Sequence, residues 1–463
     1  MMLKRIRFPA ALACLLLAAA SLASSDRPPL EEMPQQFQLA FWLNQAALAY
    51  EEKDYADWAR ATEKLHALRP YNQDFMTHLV TAYTRTGEIS KAFNMMLVMQ
   101  QQGLAQDWEE IDGLDELRKH RLYNHLNDLM IEAGQPFGEA EVFAELDGAH
   151  AMPEAVAHDP GTGRLFVGTV RDGLILQTVD GQGWEEFASP GTVDGLRAVF
   201  DLAVDAERGH LWVATGAVSH FQMGESEQRG TALLKLDLES GELLATYPVQ
   251  SDGQPHMLGS IAINRDGIVY AANASMPMLF RLDPNEQSHP RPFFGHQNFS
   301  SLRGIALSDD DQLLYVVDYE IGILVLATDD SQQAWKLAVP ETLNEGGIDG
   351  IHYWNDHLIV IQNGVTPERV LKLELGPDGL GVVSVAPVAA GLDYFDVPTF
   401  GAMVDNHLYF LAASHWQKVD ARGRPHGGQL PSVPILRADV DSTEVRVVGQ
   451  DVLDRMRDQV EGQ

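Results

Sequence analysis

The chain has 463 residues, and its 66 acidic residues outnumber 33 basic ones, which gives a formal charge of -33. A field of this sign repels nucleic acid and anionic lipid surfaces, so nucleic acid is excluded as a partner and the charge is best interpreted as solubility. The length indicates two domains rather than one ordinary core.

Residues 1–23 have the pattern of a secretory signal peptide. Three basic residues precede a short apolar run that begins at Phe8, and Ser21-Leu22-Ala23 offers a small-x-small cleavage site. The run is short for a membrane span, so we expect a periplasmic or secreted protein with no span after cleavage. Cys14 raises the alternative of a lipoprotein, which its flanks disfavour because Ala11 stands where such signals prefer Leu. As the only cysteine, it leaves the mature chain without disulfide or thiolate chemistry.

Residues 30–134 are predicted to form a helical domain, because apolar residues recur there at spacings of three and four. The motif Gly87-Glu88-Ile89 follows Lys53-Asp54-Tyr55 by roughly 34 residues, and both segments resemble tetratricopeptide repeats. A further helical piece from Asp107 would cap the stack. Such a domain either binds a protein partner in its groove or packs against the rest of the chain, and the sequence leaves both interpretations open.

Between residues 140 and 440 one hydrophobic phrase occurs six times, entered each time through a Gly-, Asp- or Asn-rich turn. The period of roughly 44 to 57 residues is that of a four-stranded propeller blade. The phrases are LFVGTV, LWVATG, IVYAAN, LYVVDY, LIVIQN and LYFLAA, beginning at Leu165, Leu211, Ile268, Leu314, Leu358 and Leu408. The predicted fold is therefore a helical repeat domain followed by an all-β six-bladed propeller. Ring closure is expected from pairing of EVFAEL near Glu141 with VPILRAD, and residues 441–463 are predicted to be a tail with a short helix.

Each phrase is preceded by an inner strand, and aligning the phrases brings one polar position per blade to the channel mouth. These positions are Glu154, Asp201, Ser260, Arg303, Asp349 and Thr399. Converging polar groups in a concave place are the default prediction for a ligand site. His256, in the loop before blade three, and Asp318, which with Tyr319 ends the fourth phrase, are added as candidate substrate-binding residues with Asp201, Ser260 and Thr399.

Three segments resemble the senescence-marker-protein, gluconolactonase and LRE-like family of six-bladed propellers. They are PEAVAHDP from Pro153, RGIALS from Arg303 with the phrase that follows it, and IDG from Ile348. The resemblance implies a divalent cation, calcium or zinc, held in the channel by a Glu of blade one, an Asn each of blades three and four, and an Asp of blade five. It further implies that this cation polarises a lactone or ester carbonyl. Glu154 and Asp349 match the family's Glu and Asp, and as candidate catalytic residues they would hold the cation or act as general base.

The two asparagine positions are not matched, because blade three has Gly259 or Ser260 and blade four has Arg303. Calcium takes about six to eight oxygen ligands, and a guanidinium beside it is repulsive. Glu154, Asp349 and Arg303 would then form either a catalytic site, with Arg303 stabilising an oxyanion, or a satisfied ion-pair network. Two functions follow. One is hydrolysis of a lactone or related ester at the mouth, and the other is non-enzymatic binding of a small ligand or a protein by the mouth and the helical groove.

Overall fold

The computed structural model describes residues 29–150, 152–221, 230–276 and 278–442. The predicted signal peptide and nearly all of the predicted tail lie outside these residues. Within the described ranges, no helix combines the length and the apolar character needed to cross a membrane.

The N-terminal domain consists of six α-helices and two short 3-10 helices. The α-helices are α1 (Gln35–Glu52), α2 (Tyr55–Leu68), α3 (Gln73–Thr86), α4 (Ile89–Gln101), α5 (Asp115–Arg118) and α6 (Arg121–Ala133), and the 3-10 helices are Leu30–Glu32 and Trp108–Glu110. Side-chain caps begin two of the α-helices: Asp54 accepts from Asp57 N at the start of α2, and Asn72 accepts from Phe75 N at the start of α3.

The 34-residue repeat is visible in how the helices end. Lys53 and Gly87 occupy equivalent positions after α1 and α3, and both adopt left-handed backbone with φ of 60° and 79°. Successive helices pack against each other from α1 to α4, and α6 packs on α4. Their core includes Trp108 and Leu104 and extends to Val365, a residue of the β-domain.

The β-domain contains six antiparallel four-stranded sheets arranged as the blades of a propeller. Strand β1 (Glu141–Leu146) precedes the blades. The first three blades are β2–β5, β6–β9 and β10–β13, with strands Pro153–Asp159, Arg164–Thr169, Ile175–Thr178, Glu185–Ala188; Ala198–Asp205, His210–Gly216, Thr231–Asp237, Leu243–Pro248; and Leu258–Ile263, Val269–Asn273, Met278–Leu282, Arg291–Gly295.

Blades four and five are β14–β17 and β18–β21, and blade six contains β22–β24. Their strands are Leu302–Leu307, Leu313–Asp318, Gly322–Ala327, Ala334–Lys336; Ile348–Trp354, His357–Gln362, Arg369–Leu375, Val382–Ala390; and Gly401–Val404, His407–Leu411, Val433–Asp439. Strand β1 completes blade six by pairing with β24, with Glu141 opposite Arg437. The six-bladed prediction and the predicted closure are confirmed, and every repeated phrase forms the second strand of its blade.

The second strand packs an aromatic side chain against a small residue of the inner strand. Opposite Phe166, Trp212, Tyr270, Tyr315 and Tyr409 stand Ala157, Ala203, Ala262, Ala306 and Ala402. Blade five reverses the sizes, with His352 on the inner strand opposite Ile359. The alanines leave room for the aromatic rings between neighbouring blades, and His352 fills the volume that the smaller Ile359 gives up.

A polar residue at the end of the second strand can accept hydrogen bonds from backbone amides at the channel mouth. Asp318 illustrates this, because its carboxylate accepts from the amides of Ser300, Ser301, Glu320 and Ile321 at 2.6–3.3 Å. Such bonds let a mouth loop remain compact without paired strands.

The helical domain docks on the mouth side of blades four and five. Tyr71 donates to the buried carboxylate of Glu345 at 2.7 Å, and Arg369 donates to the carbonyl of Gln102 at 3.0 Å. Arg69 lies 3.5 Å from Glu320. The helical domain is therefore one wall of the region where the predicted site lies.

Candidate functional site at the channel mouth

Each of the first five inner strands carries a bulge where it enters the channel, and the bulged residue is the mouth residue. In blade one the ladder passes from Pro153 to Ala155, which leaves Glu154 unpaired, and in blade five it passes from Ile348 to Gly350, which leaves Asp349 unpaired. Three residues before the inner-strand position that faces the second-strand aromatic, or Ile359 in blade five, lies one mouth residue per blade. They form a ring whose members are Glu154, Phe200, Gly259, Arg303, Asp349 and Thr399. A bulge re-aims a side chain out of the ladder, which suits a site residue.

Asp201 and Ser260 lie one residue deeper than the predicted alignment placed them, and Phe200 and Gly259 take their mouth positions. Asp201 Oδ2 accepts from Ile261 N at 2.7 Å, and Ser260 Oγ accepts from Ile305 N at 3.3 Å. Both side chains therefore join their own blade to the inner strand of the next. Burial raises the pKa of Asp201 to about 7, against the lowering effect of hydrogen bonds from the amides of Ile261 and Leu202.

Glu154 is a buried carboxyl group with 7 % of its surface exposed. Trp416 Nε1 donates a hydrogen bond to Glu154 Oε1. Burial and then the charge of Asp349 raise the pKa of Glu154 to about 8, against the lowering effects of the Trp416 hydrogen bond and of Arg303. At neutral pH the Glu154 carboxyl therefore carries its proton.

Asp349 and Arg303 face each other at the same mouth. Arg303 Nε lies 3.6 Å from Asp349 Oδ1, an ion pair too long for a hydrogen bond. Asn363 donates to Asp349 Oδ2 at 2.9 Å and accepts from Tyr319 Oη at 2.9 Å. The Arg303 guanidinium lies 5.3 Å from the centre of the Tyr319 ring. Tyr319 and Asn363 thus hold the pair in place.

Three polar atoms of this mouth are buried and form no hydrogen bond with any described residue: Arg303 Nε, Asp349 Oδ1 and Thr399 Oγ1. Burying a polar group without a hydrogen bond costs about 1–3 kcal/mol, and two of these three atoms, Arg303 Nε and Asp349 Oδ1, face each other as the ion pair at 3.6 Å. Arg303 also reaches solvent, since 37 % of its side chain is exposed. The mouth thus presents a donor, an acceptor and a hydroxyl beside a neutral carboxylic acid.

The other two predicted residues have their polar atoms engaged within their own blades. His256 bonds Asp252 at 3.0 Å and Asn273 at 2.9 Å in blade three. Asp318 has both oxygens occupied by the four backbone amides described above. The structure brings Glu154, Arg303, Asp349 and Thr399 together at the mouth, and His256 and Asp318 make no hydrogen bond or ion pair to them among the described residues.

Sequence reasoning missed Trp416 and Asn363, and it gave Tyr319 no role at the site. Tyr319 and Asn363 directly follow the second strands of blades four and five, so a polar residue at the end of the phrase was an available signal. Trp416 comes from the 3-10 helix Trp416–Lys418 between β23 and β24, and no local pattern indicates that this loop reaches blade one.

The donors at the mouth do not fit a divalent cation. No three His, Cys, Asp or Glu side chains form a metal-binding group in the described part of the chain. The Asn363 oxygen accepts a hydrogen bond from Tyr319, and the Arg303 guanidinium places its positive charge 3.6 Å from Asp349. A hard cation requires about six or more oxygen ligands at short distance, which this set does not supply.

No protein-family model and no curated protein matches the chain. Among solved structures, a luciferin-regenerating enzyme is 15% identical with a TM-score of 0.46, over 67% of this chain and 97% of that one. A gluconolactonase from Xanthomonas campestris is 14% identical with a TM-score of 0.44, over 65% and 91%. A nidogen/laminin complex is 10% identical with a TM-score of 0.40, over 51% and 80%. None of these likenesses decides the activity, and the propeller assignment rests on the strand pairing of this chain itself.

Proposed function

We propose that the channel mouth hydrolyses a lactone or related ester without a metal ion, in an exported protein. The observation that supports this most directly is geometric: the mouth holds the buried Glu154 carboxyl together with Arg303 and Asp349, and Asp349 Oδ1 has no hydrogen bond among the described residues. Two carboxyl groups in different environments suit the roles of acid and base.

Asp349 is the general base in this proposal. Its Oδ1 takes a proton from a water molecule whose oxygen attacks the carbonyl carbon, while Asn363 fixes the orientation of Oδ2. Arg303 stabilises the negative charge that develops on the carbonyl oxygen, and it is well placed because its guanidinium is part exposed and braced by Tyr319.

Glu154 is the general acid. The ring C–O bond breaks as its electrons pass to the leaving oxygen, and Glu154 supplies the proton to that oxygen. The indole of Trp416 is a donor only, so Oε1 of Glu154 accepts from it and the acidic proton resides on Oε2. The product is a hydroxy acid, and the proton moves from Asp349 back to Glu154 through solvent.

Non-enzymatic binding remains the second candidate. It is favoured by the ion pair of Arg303 with Asp349, because the same guanidinium would hold a carboxylate ligand without turnover. A protein partner of the helical domain is a further proposal, with the exposed apolar side chains Phe37, Phe41 and Leu48 of α1 as its contact surface.

The test is a hydrolysis screen of lactones and esters with wild type, Glu154→Gln, Asp349→Asn and Arg303→Met. The proposal expects losses of about 100-fold or more in kcat for each variant on alkyl lactones. Phenyl esters, whose leaving group needs no proton, should be nearly insensitive to Glu154→Gln but remain sensitive to Asp349→Asn.

Glu239→Gln is the matched control, since Glu239 is exposed in the turn between β8 and β9. Chelation should leave the activity unchanged. Wild-type hydrolysis no faster than the uncatalysed reaction would refute the proposed activity. Binding of a product carboxylate that depends on Arg303 would then support the non-enzymatic binding function. Activity lost on chelation and restored by calcium or zinc would refute the metal-free mechanism.

A further inference from the structure

The mouth ring is polar on one side and apolar on the other. Blades four, five, six and one contribute Arg303, Asp349, Thr399 and Glu154, whereas blades two and three contribute Phe200 and Gly259. The alignment of the six repeats does not show this polar and apolar division of the ring, because it places Asp201 and Ser260 where Phe200 and Gly259 stand.

An apolar cluster continues from Phe200, and we call it the apolar wall. Its buried members are Met152, Val170, Ala198, Phe200, Val419 and Leu430, and the half-buried Val218, Phe221, Met257 and Trp416 pack against them. The half-buried members leave apolar surface accessible beside the mouth. A loop histidine, His220, lies edge-on to Trp416 at 4.8 Å between ring centres and helps to hold the indole.

Trp416 joins the apolar wall to the polar site. Its Nε1 donates to Glu154 while its ring packs on the wall, and Met152 of the wall lies only two residues before Glu154. A ligand whose carbonyl lies at Arg303 and Asp349 would therefore extend its remaining atoms along this wall.

We infer that the site takes a lactone carrying an aliphatic chain rather than a hydroxyl-rich sugar lactone, an inference that rests on the proposed function. Sugar hydroxyls placed against Phe200 and Met257 would lose their hydrogen bonds to water without replacement. Methylene groups placed there gain from leaving water. The apolar wall thus selects lactones by their aliphatic substituent, and the polar mouth residues position the lactone carbonyl.

The experiment uses δ-valerolactone, its homologues with alkyl side chains of increasing length, and glucono-δ-lactone. We expect kcat/KM to rise roughly threefold for each of the first few methylenes and to be lowest for the sugar lactone. Met257→Gln and Val218→Thr should flatten this dependence on chain length. Val179→Thr makes the same chemical change at a side chain that is 61% exposed in blade one, and should keep the wild-type dependence.

Binding of the matching δ-lactams by calorimetry separates this inference from the proposed hydrolysis, because a lactam places the same ring and chain without being cleaved readily. If no lactone is hydrolysed but lactam affinity rises with chain length and falls in Met257→Gln, the proposed activity fails and the ligand class stands. Affinities and rates that are independent of chain length, or a preference for the sugar lactone, would overturn the inference.

Discussion

Trp416 Nε1 donates a hydrogen bond to Glu154 Oε1 although the two residues are 262 positions apart in the chain. Ring closure makes this contact possible, because β1 pairs with β24 and so brings the end of the propeller beside its first blade. The contact fixes a buried carboxyl group whose protonation has a measurable consequence for stability.

Glu154→Gln should abolish part of the pH dependence of stability. Between its ordinary pKa of 4.5 and its folded pKa of about 8, the folded protein holds a proton that the unfolded chain releases. The free energy of unfolding that this carboxyl contributes therefore falls as pH rises through that window. Glutamine keeps an acceptor for Trp416 and does not ionise.

Thermal unfolding at pH 5 and pH 8.5 is the measurement. The variant should resemble wild type at pH 5 and exceed it at pH 8.5, by on the order of a few kcal/mol. Glu239→Gln, a substitution at an exposed position, should match wild type in stability at both pH values. A constant difference between wild type and Glu154→Gln at both pH values would contradict a raised pKa.

Tyr71→Phe should destabilise both domains together. The mutation removes the 2.7 Å hydrogen bond to Glu345, a carboxylate with 0% exposure that also binds Lys336 and Ile323 N. Loss of a hydrogen bond to a charged group costs about 1.5–3 kcal/mol. Because the helical core shares Val365 with blade five, we expect one unfolding transition that shifts as a whole.

Calorimetry with far-ultraviolet circular dichroism checks this, since helix and strand signals can be followed separately. Tyr50→Phe is the control, because Tyr50 is 49% exposed on α1 and should change stability by less than about 0.5 kcal/mol. A helical signal that is lost before the strand signal would show that the domains unfold independently.

The sequence predicted the propeller because the repeated phrase is a local pattern of hydrophobic alternation and turn residues. It predicted Glu154, Arg303, Asp349 and Thr399 at the mouth by counting along that pattern. The count was displaced by one at Asp201 and Ser260, polar residues that stand directly after the mouth positions held by Phe200 and Gly259. The alanine opposite each second-strand aromatic is the better reference point, since interblade packing fixes it.

Blade five departs from that alanine–aromatic pattern, and restoring the pattern should be tolerated. His352→Ala alone removes volume, and Ile359→Tyr alone adds volume to a fully buried position, so each single change should cost about 1–3 kcal/mol. The double variant recreates the pair found in blades three, four and six. Burial lowers the pKa of His352 to about 4, and its Nε2 has no hydrogen bond with a described residue, so its removal relieves a polar cost.

Urea unfolding of the wild type, the two single variants and the double variant forms the cycle. We expect a favourable coupling of about 1–3 kcal/mol and a double variant close to wild type in stability. Additive losses would mean that His352 does more than fill the volume opposite Ile359.

Val397→Gly should stabilise the protein by about 1 kcal/mol. Val397 has φ of 65°, a left-handed conformation that is unfavourable for a β-branched residue by roughly that amount. Its amide is held by both oxygens of Glu368, at 3.2 and 3.1 Å, and glycine retains these bonds. Val383→Gly, at a 63% exposed position of β21, makes the same chemical change where φ is ordinary, and should lose stability instead.

The position of Val397 makes the activity of this variant informative as well. It lies two residues before Thr399, and Met152, with φ of 61°, lies two residues before Glu154, so both mouth residues follow a left-handed turn. Residues held in such conformations gather at functional sites because the surrounding structure fixes them. If the turn orients Thr399 for the reaction, Val397→Gly should be more stable in urea unfolding and should hydrolyse lactones more slowly. A gain in stability with unchanged turnover would show that the turn does not contribute to the reaction.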